Sequence, residues 1–160
     1  MIHRNGLPLT YNPRLPDLPV TVLMAAGKQL PKNVIGVLAD CGFPTAREIM
    51  MQVIRQMGLP PALVYPFVKL GAKLYGGFDL DQFSALEAAA HIQVPVIFFH
   101  GEADDFVPCR MTEEAYKACT SEKEMYIVED AGHAVSYLVN TPGYRKRVMD
   151  FLRKYMNKDI

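Results

Sequence analysis

Two adjacent carboxylates, Asp104 and Asp105, stand in the stretch "HGEADDFVP" (residues 100–108), directly after the apolar run "VPVIFFH". A buried strand therefore ends by delivering acids into a turn. A second strand-like run, "KEMYIVED" (123–130), is followed at once by "AGH", so His133 also sits a few residues past a strand end. Converging carboxylates and imidazoles are the side chains of general acid–base chemistry. In open α/β sheets such groups collect where strands hand over to loops at their carboxyl ends. Each residue also has a plainer use. Asp is favoured in turns, and either acid would cap a helix starting after Pro108. A His beside a Gly is ordinarily a loop residue.

The elements that must position these groups are legible from pattern. Residues 1–19 carry prolines at 8, 13, 16 and 19 and read as irregular. "VTVLMAAGKQL" (20–30) reads as a buried helix and "NVIGVLADCG" (33–42), rich in β-branched residues, as a buried strand. Thr45 with Glu48 forms a capping box opening a helix that carries Ile49, Met50, Val53, Ile54 and Met57 on one stripe. Gly58 and Pro60–Pro61 stop it. A second apolar helix over 61–75 bends near Pro66, "GGFDLDQF" is a loop, and Ser84 with Glu87 opens a short helix ending near His91. Strands at 94–101 and 123–130 enclose a helix from about Arg110 to Cys119. Thr141 and Pro142 supply an N-cap and first-turn proline for a last helix burying Val148, Phe151, Leu152 and Tyr155. This alternation predicts an α/β fold, with about three parallel strands flanked by helices.

The chain has 160 residues, half of them apolar, and net charge zero. One globular domain is expected, with neither nucleic acid nor an anionic membrane as its main partner. The N-terminal stretch lacks the apolar core of a signal peptide. Cys41, Cys109 and Cys119 are odd in number and widely spaced, which fits a reduced, cytoplasmic setting without disulfides. His3, His91, His100 and His133 show no ligand spacing, so no metal site is expected. His100 reads as a strand-end residue and His91 as a helix C-terminal cation.

The stretch "HGEADDFVP" matches the pattern HGxxDxxVP, and "DAGH" places His133 29 positions after Asp104. With "NVIGVLADCGF" and "GHAVSYLVNTPGYRKRVMDFL", residues 20–156 resemble the C-terminal half of an α/β-hydrolase. The nearest likeness is to the serine peptidase and esterase branch related to prolyl oligopeptidase. The resemblance implies hydrolysis of a small-molecule ester or a peptide through an acyl-enzyme, without a cofactor. It makes His133 the general base and Asp104 the acid that orients it, with Asp105 at a variable position. It also implies that Gly132 lets the loop turn tightly toward the acid.

Chain order in this fold is Ser, then Asp, then His, with the serine in a GxSxG elbow. By the likeness of "TVLMAAG" to the helix after the elbow, the nucleophile belongs at about position 16. Pro16 stands there, with Arg14 and Leu18 where the glycines belong, and the first serine in the chain is Ser84. No nucleophile is therefore assigned: Ser84 reads as a cap, Ser136 lies on the same segment as His133, and Cys41 reads as an inert buried thiol rather than a substitute. Loss of a nucleophile costs about six powers of ten in serine proteases, so the chain is expected to be inactive alone. It reads as a truncated hydrolase, as one half of a split hydrolase with a complementing N-terminal half, or else as a non-catalytic binding module that could form a homo-oligomer; a second copy would not supply the elbow. The domain is read as 20–160. Residues 46–90 form a helical insertion, either a lid over the substrate or helices packed on the sheet. The strand at 33–41 lacks its neighbour and must pair, be covered by residues 1–19, or aggregate.

Overall fold

The computed structural model describes residues 2–3, 18–28, 30–82 and 84–156. Three strands, β2 (Val34–Asp40), β3 (Val96–Gly101) and β4 (Lys123–Val128), pair in parallel, with Val37 opposite Val96, Val96 opposite Lys123 and Gly101 opposite Val128. Within the segment expected to be irregular, a short β1 (Ile2–His3) runs antiparallel along the outer edge of β2, opposite Gly36 and Val34. Leu18 and Pro19 belong to the first helix, α1 (Leu18–Ala26); the remainder of that segment lies outside the described residues. β1 thus covers part of the edge that the sequence leaves open.

The alternation of side chains along β3 builds both halves of the core. Val96 and Phe98 face a layer containing Leu23 and Ala26 of α1, Ala85 and Ala89 of α4 (Ala85–Ala90), and Ala115 of α5 (Cys109–Ala118). Ile97 and Phe99 face Phe151 and Tyr155 of α7 (Thr141–Met156). Every residue of β3 is buried, as a strand covered on both faces requires. Burying each of Phe98, Phe99 and Phe151 contributes roughly 2–3 kcal/mol of transfer free energy.

The region 46–90 divides. Its last helix, α4, belongs to the layer on the sheet, whereas α2 (Ala46–Gln56) and α3 (Pro61–Gly71) form a satellite around Ile54, Tyr65 and Leu80. Ile49 joins this satellite to Val107 and Met111 beside the acid loop. The chain stays helical through Pro66, and its pattern changes further on. A π-helical turn, Ala72–Gly76, is closed by Gly77 in the left-handed region.

The caps follow the sequence with one exception. Thr45 and Ser84 each accept from the backbone N–H three residues on, at 3.1 and 3.2 Å. At α7, however, Asn140 Oδ1 accepts from Gly143 N at 3.0 Å, while Thr141 Oγ1 donates back to the Tyr137 carbonyl. The short α6 (Ser136–Val139) runs straight into α7 and moves the cap one residue earlier than expected.

Candidate active site

The parallel register aligns the carboxyl ends of all three strands, so the loops after Asp40, Gly101 and Val128 share one rim. Backbone bonds knit them together: Cys41 N donates to the Phe99 carbonyl (3.0 Å), Glu102 N to Val128 (2.9 Å) and Ala103 N to Ala131 (3.0 Å).

Asp104 uses its two oxygens differently. Oδ1 accepts from Phe106 N (3.1 Å) and Val107 N (2.8 Å), shaping the turn that leads into α5. Oδ2 lies 2.8 Å from His133 Nδ1. The turn contacts and the contact with His133 fall on different oxygens of this residue. The carboxylate side chain is fully buried, whereas the His133 side chain is 38% exposed. The ring of Phe106 meets the His133 ring edge-on at 5.0 Å. Asp105 contributes only its carbonyl, which accepts from Gln56 Nε2 at 2.6 Å and ties the end of α2 to the acid loop.

The His133 loop is held by backbone strain at non-glycine residues. Asp130 (φ 57) and Ala134 (φ 57) flank the histidine in the left-handed region, an arrangement that side chains disfavour and that persists where surroundings over-determine it. Gly132 does not carry the tight turn the sequence suggested. A Cβ there would have nothing nearer than 3.9 Å, and its φ is not positive. The indispensable glycine is Gly101: a Cβ on it would overlap the Ala131 carbonyl oxygen and come within 2.6 Å of that of Gly132. Its bareness lets the His133 loop lie directly on the end of β3.

Cys41, also left-handed (φ 55), anchors the same loop. Its thiol donates to Asp40 Oδ1 (3.2 Å) and accepts from Ala134 N (3.3 Å). Burial, and then the Asp40 charge, push this thiol up to about 12, which argues against a nucleophilic thiolate. Asp40 further accepts from Ser136 Oγ at 3.4 Å and from the Tyr144 hydroxyl, which is itself pushed upward by burial and Asp40. Ser136 is thus buried structure, and Ser84 a cap. Donor atoms of Cys41, Asp104 and His133 lie within 4.8 Å of one another, a grouping among the described residues whose S, O and N set would suit a soft divalent cation. The two partners Asp104 and His133 are bonded to each other there.

His100 and His91 are also placed. His91 caps α4, its Nδ1 2.7 Å from the Glu87 carbonyl. His100 is no ordinary strand-end residue: it is wholly buried, with Nε2 3.3 Å from Asp104 Oδ2. Its position four residues before Asp104 was visible in the sequence, but a strand-to-turn contact at that spacing was not. A cavity of about 590 Å³, lined by Ile35, Ile92, Pro95, Ser121 and Tyr155, lies at the amino ends of the strands, opposite this rim.

Residues 41–137, more than half of the chain, match the family model for serine hydrolase (FSH1). The chain belongs to that serine hydrolase family. It is 34% identical over 134 residues to the uncharacterized protein YqkD of Bacillus subtilis (strain 168), covering 83% of this chain and 44% of that protein. It is 24% identical over 115 residues to the uncharacterized protein Rv2307c of Mycobacterium tuberculosis (strain H37Rv), covering 72% of this chain and 38% of the relative. Among solved structures it resembles the Pyrococcus furiosus esterase PF2001, with TM-score 0.64, 20% identity, and 87% of this chain against 51% of that one. The Pyrococcus horikoshii acylaminoacyl peptidase matches with TM-score 0.62 and 14% identity, over 89% of this chain and 23% of that one. These likenesses show the α/β-hydrolase fold, and the chain spans about half or less of the proteins it matches. No helix among the described residues is long and apolar enough to cross a membrane.

Proposed function

We propose that this chain is the acid- and base-bearing half of a serine hydrolase that cleaves an ester or amide through an acyl-enzyme. His133 is the general base that takes the proton of an attacking serine and returns it to the leaving group. Asp104 holds the imidazole in the required tautomer and stabilises the imidazolium. The observation that supports this reading is the 2.8 Å contact between a buried carboxylate and the Nδ1 of a partly exposed imidazole. That contact leaves Nε2 as the working nitrogen.

The serine comes from sequence outside these 160 residues, because they contain no GxSxG. The oxyanion donors of this fold lie beside that elbow, so the chain alone does not turn over substrate. The satellite of α2 and α3 serves as a lid. Its exposed residues Leu63, Phe67 and Leu70, with Leu74 of the π-helical turn that follows, offer an apolar wall, and Gln56 joins it to the acid loop.

The test compares the pure chain with a polypeptide that carries a GxSxG elbow upstream of Thr21, on one chain or as a co-purifying partner. The pure chain is expected to leave a fluorophosphonate probe unbound and to hydrolyse p-nitrophenyl acetate at background rate. The elbow-bearing form is expected to be labelled and to lose turnover on His133→Ala. His133-dependent turnover by the pure chain would mean that another nucleophile exists. A second reading, a non-catalytic binding module, is favoured by one observation: β1 covers part of the β2 edge, as a self-sufficient half-sheet needs.

A further inference from the structure

The acid at the centre of this site is shared between two histidines. Asp104 Oδ2, which meets His133 Nδ1, is also 3.3 Å from Nε2 of His100. The same Nε2 is 2.8 Å from the Val107 carbonyl. A carboxylate oxygen and a carbonyl oxygen are both acceptors, so Nε2 of His100 carries a proton. On the far side of the ring, Nδ1 is 2.6 Å from Thr112 Oγ1, which is in turn 3.0 Å from the Gly42 carbonyl. The threonine hydroxyl donates to the Gly42 carbonyl, and its oxygen faces Nδ1, so Thr112 holds the His100 ring from the side away from Asp104.

These contacts close a ring about the carboxylate. Val107 N–H donates to Oδ1, the Val107 carbonyl accepts from His100 Nε2–H, and the same nitrogen lies 3.3 Å from Oδ2. Both oxygens of Asp104 are thereby met from this side, Oδ1 by Val107 N–H and Oδ2 by the His100 ring. His100 and Thr112 have 0% and 1% exposure, so water does not compete for these bonds. In a buried polar network, removing one member leaves the others unsatisfied and free to rearrange.

We infer that His100, held in place by Thr112, is a positioning residue that keeps the Asp104 carboxylate where it meets His133. The inference rests on the proposed role of the Asp104–His133 pair. His100 touches no reacting atom and acts through Asp104.

The test is read on this chain directly, as the low-field proton of His133 Nδ1 in the NMR spectrum at low temperature, with the melting temperature as a control for folding. In the unmodified chain the resonance is expected to be present and to vanish in Asp104→Asn. His100→Leu, which keeps bulk and removes the donor, is expected to speed its exchange with water several-fold or broaden it away. His100→Gln, whose amide N–H reaches about as far as the imidazole Nε2, is expected to restore it. A folded His100→Leu chain with an unchanged resonance would overturn the inference and leave the Asp104–His133 pair intact. Absence of any Asp104-dependent resonance in the unmodified chain would overturn both. If His100→Leu fails to fold, Thr112→Val carries the test, since it keeps shape and removes only the hydroxyl. Faster exchange supports the positioning of Asp104 through His100 and Thr112, and unchanged exchange refutes it.

Discussion

Asp104 offers Oδ2 to His133 Nδ1 at 2.8 Å while its Oδ1 takes two backbone N–H groups of the same loop. The contact with His133 and the shape of the loop therefore depend on one carboxylate. Asp104→Asn is expected to lower kcat of the elbow-bearing hydrolase by about four powers of ten, the size of effect measured for the equivalent change in a serine protease. Asp104→Ala is expected to cost ~2–4 kcal/mol of stability as well, because buried donors lose their acceptor. Ester kinetics and urea melts of the two variants separate these contributions.

Gly101 and Gly132 differ in what they tolerate. Gly101→Ala drives a methyl into the Ala131 and Gly132 carbonyls and must push the His133 loop off β3. Loss of the Asp104-dependent proton signal, with a lowered melting temperature, is the expected outcome. Gly132→Ala is expected to change stability by less than about 1 kcal/mol, because the space is open and the backbone is ordinary.

Ala134 sits at φ 57 without a glycine's freedom. Ala134→Gly is expected to relieve strain of about 1 kcal/mol. It also loosens the loop that carries His133, so the melting temperature should rise or hold while ester turnover by the elbow-bearing form falls.

Cys41 should be the slowest of the thiols to react with Ellman's reagent in the native chain, slower than the half-buried Cys109. Burial raises Cys41 from 9.0 to about 12. Between those values the unfolded chain releases a proton that the folded chain keeps, so stability falls as pH rises through that window. Cys41→Ala is expected to flatten this alkaline loss and to cost ~1–3 kcal/mol at neutral pH, since Ala134 N loses its acceptor. Denaturant melts across the alkaline range check both.

Glu48 has a buried Oε2 without a hydrogen-bond partner, and burial, then Glu114, raises it above its ordinary 4.5. The fold therefore favours the protonated acid. Its contribution is fully present below pH 4.5 and declines as pH rises above that value. Glu48→Gln should raise the melting temperature at neutral pH and lessen its dependence on mildly acidic pH.

The alternation of apolar runs and helix stripes was enough to predict three parallel strands with helices on both faces. Periodicity of 2 and 3.6 is a local property that burial imposes along the chain. Asp104 and His133 were legible because each lies in a short motif at the end of its own strand. Thr45 and Ser84 were legible as caps because a cap bonds three residues away. What could not be read was whatever depends on register between strands. Asp40 and Cys41 reach the His133 loop across more than 90 residues of chain, and the Cβ-free contact belongs to Gly101 rather than the glycine beside the histidine. Asn140 displaced Thr141 as a cap only because α6 abuts α7. His100 became a partner of Asp104 because the turn folds back over the strand end and buries the ring against Thr112. Sequence alone determined which side chains with chemistry stand at the rim. Tertiary structure decided which of them touch, because hydrogen bonds in a dry interior are set by the packing of distant segments that no local pattern encodes.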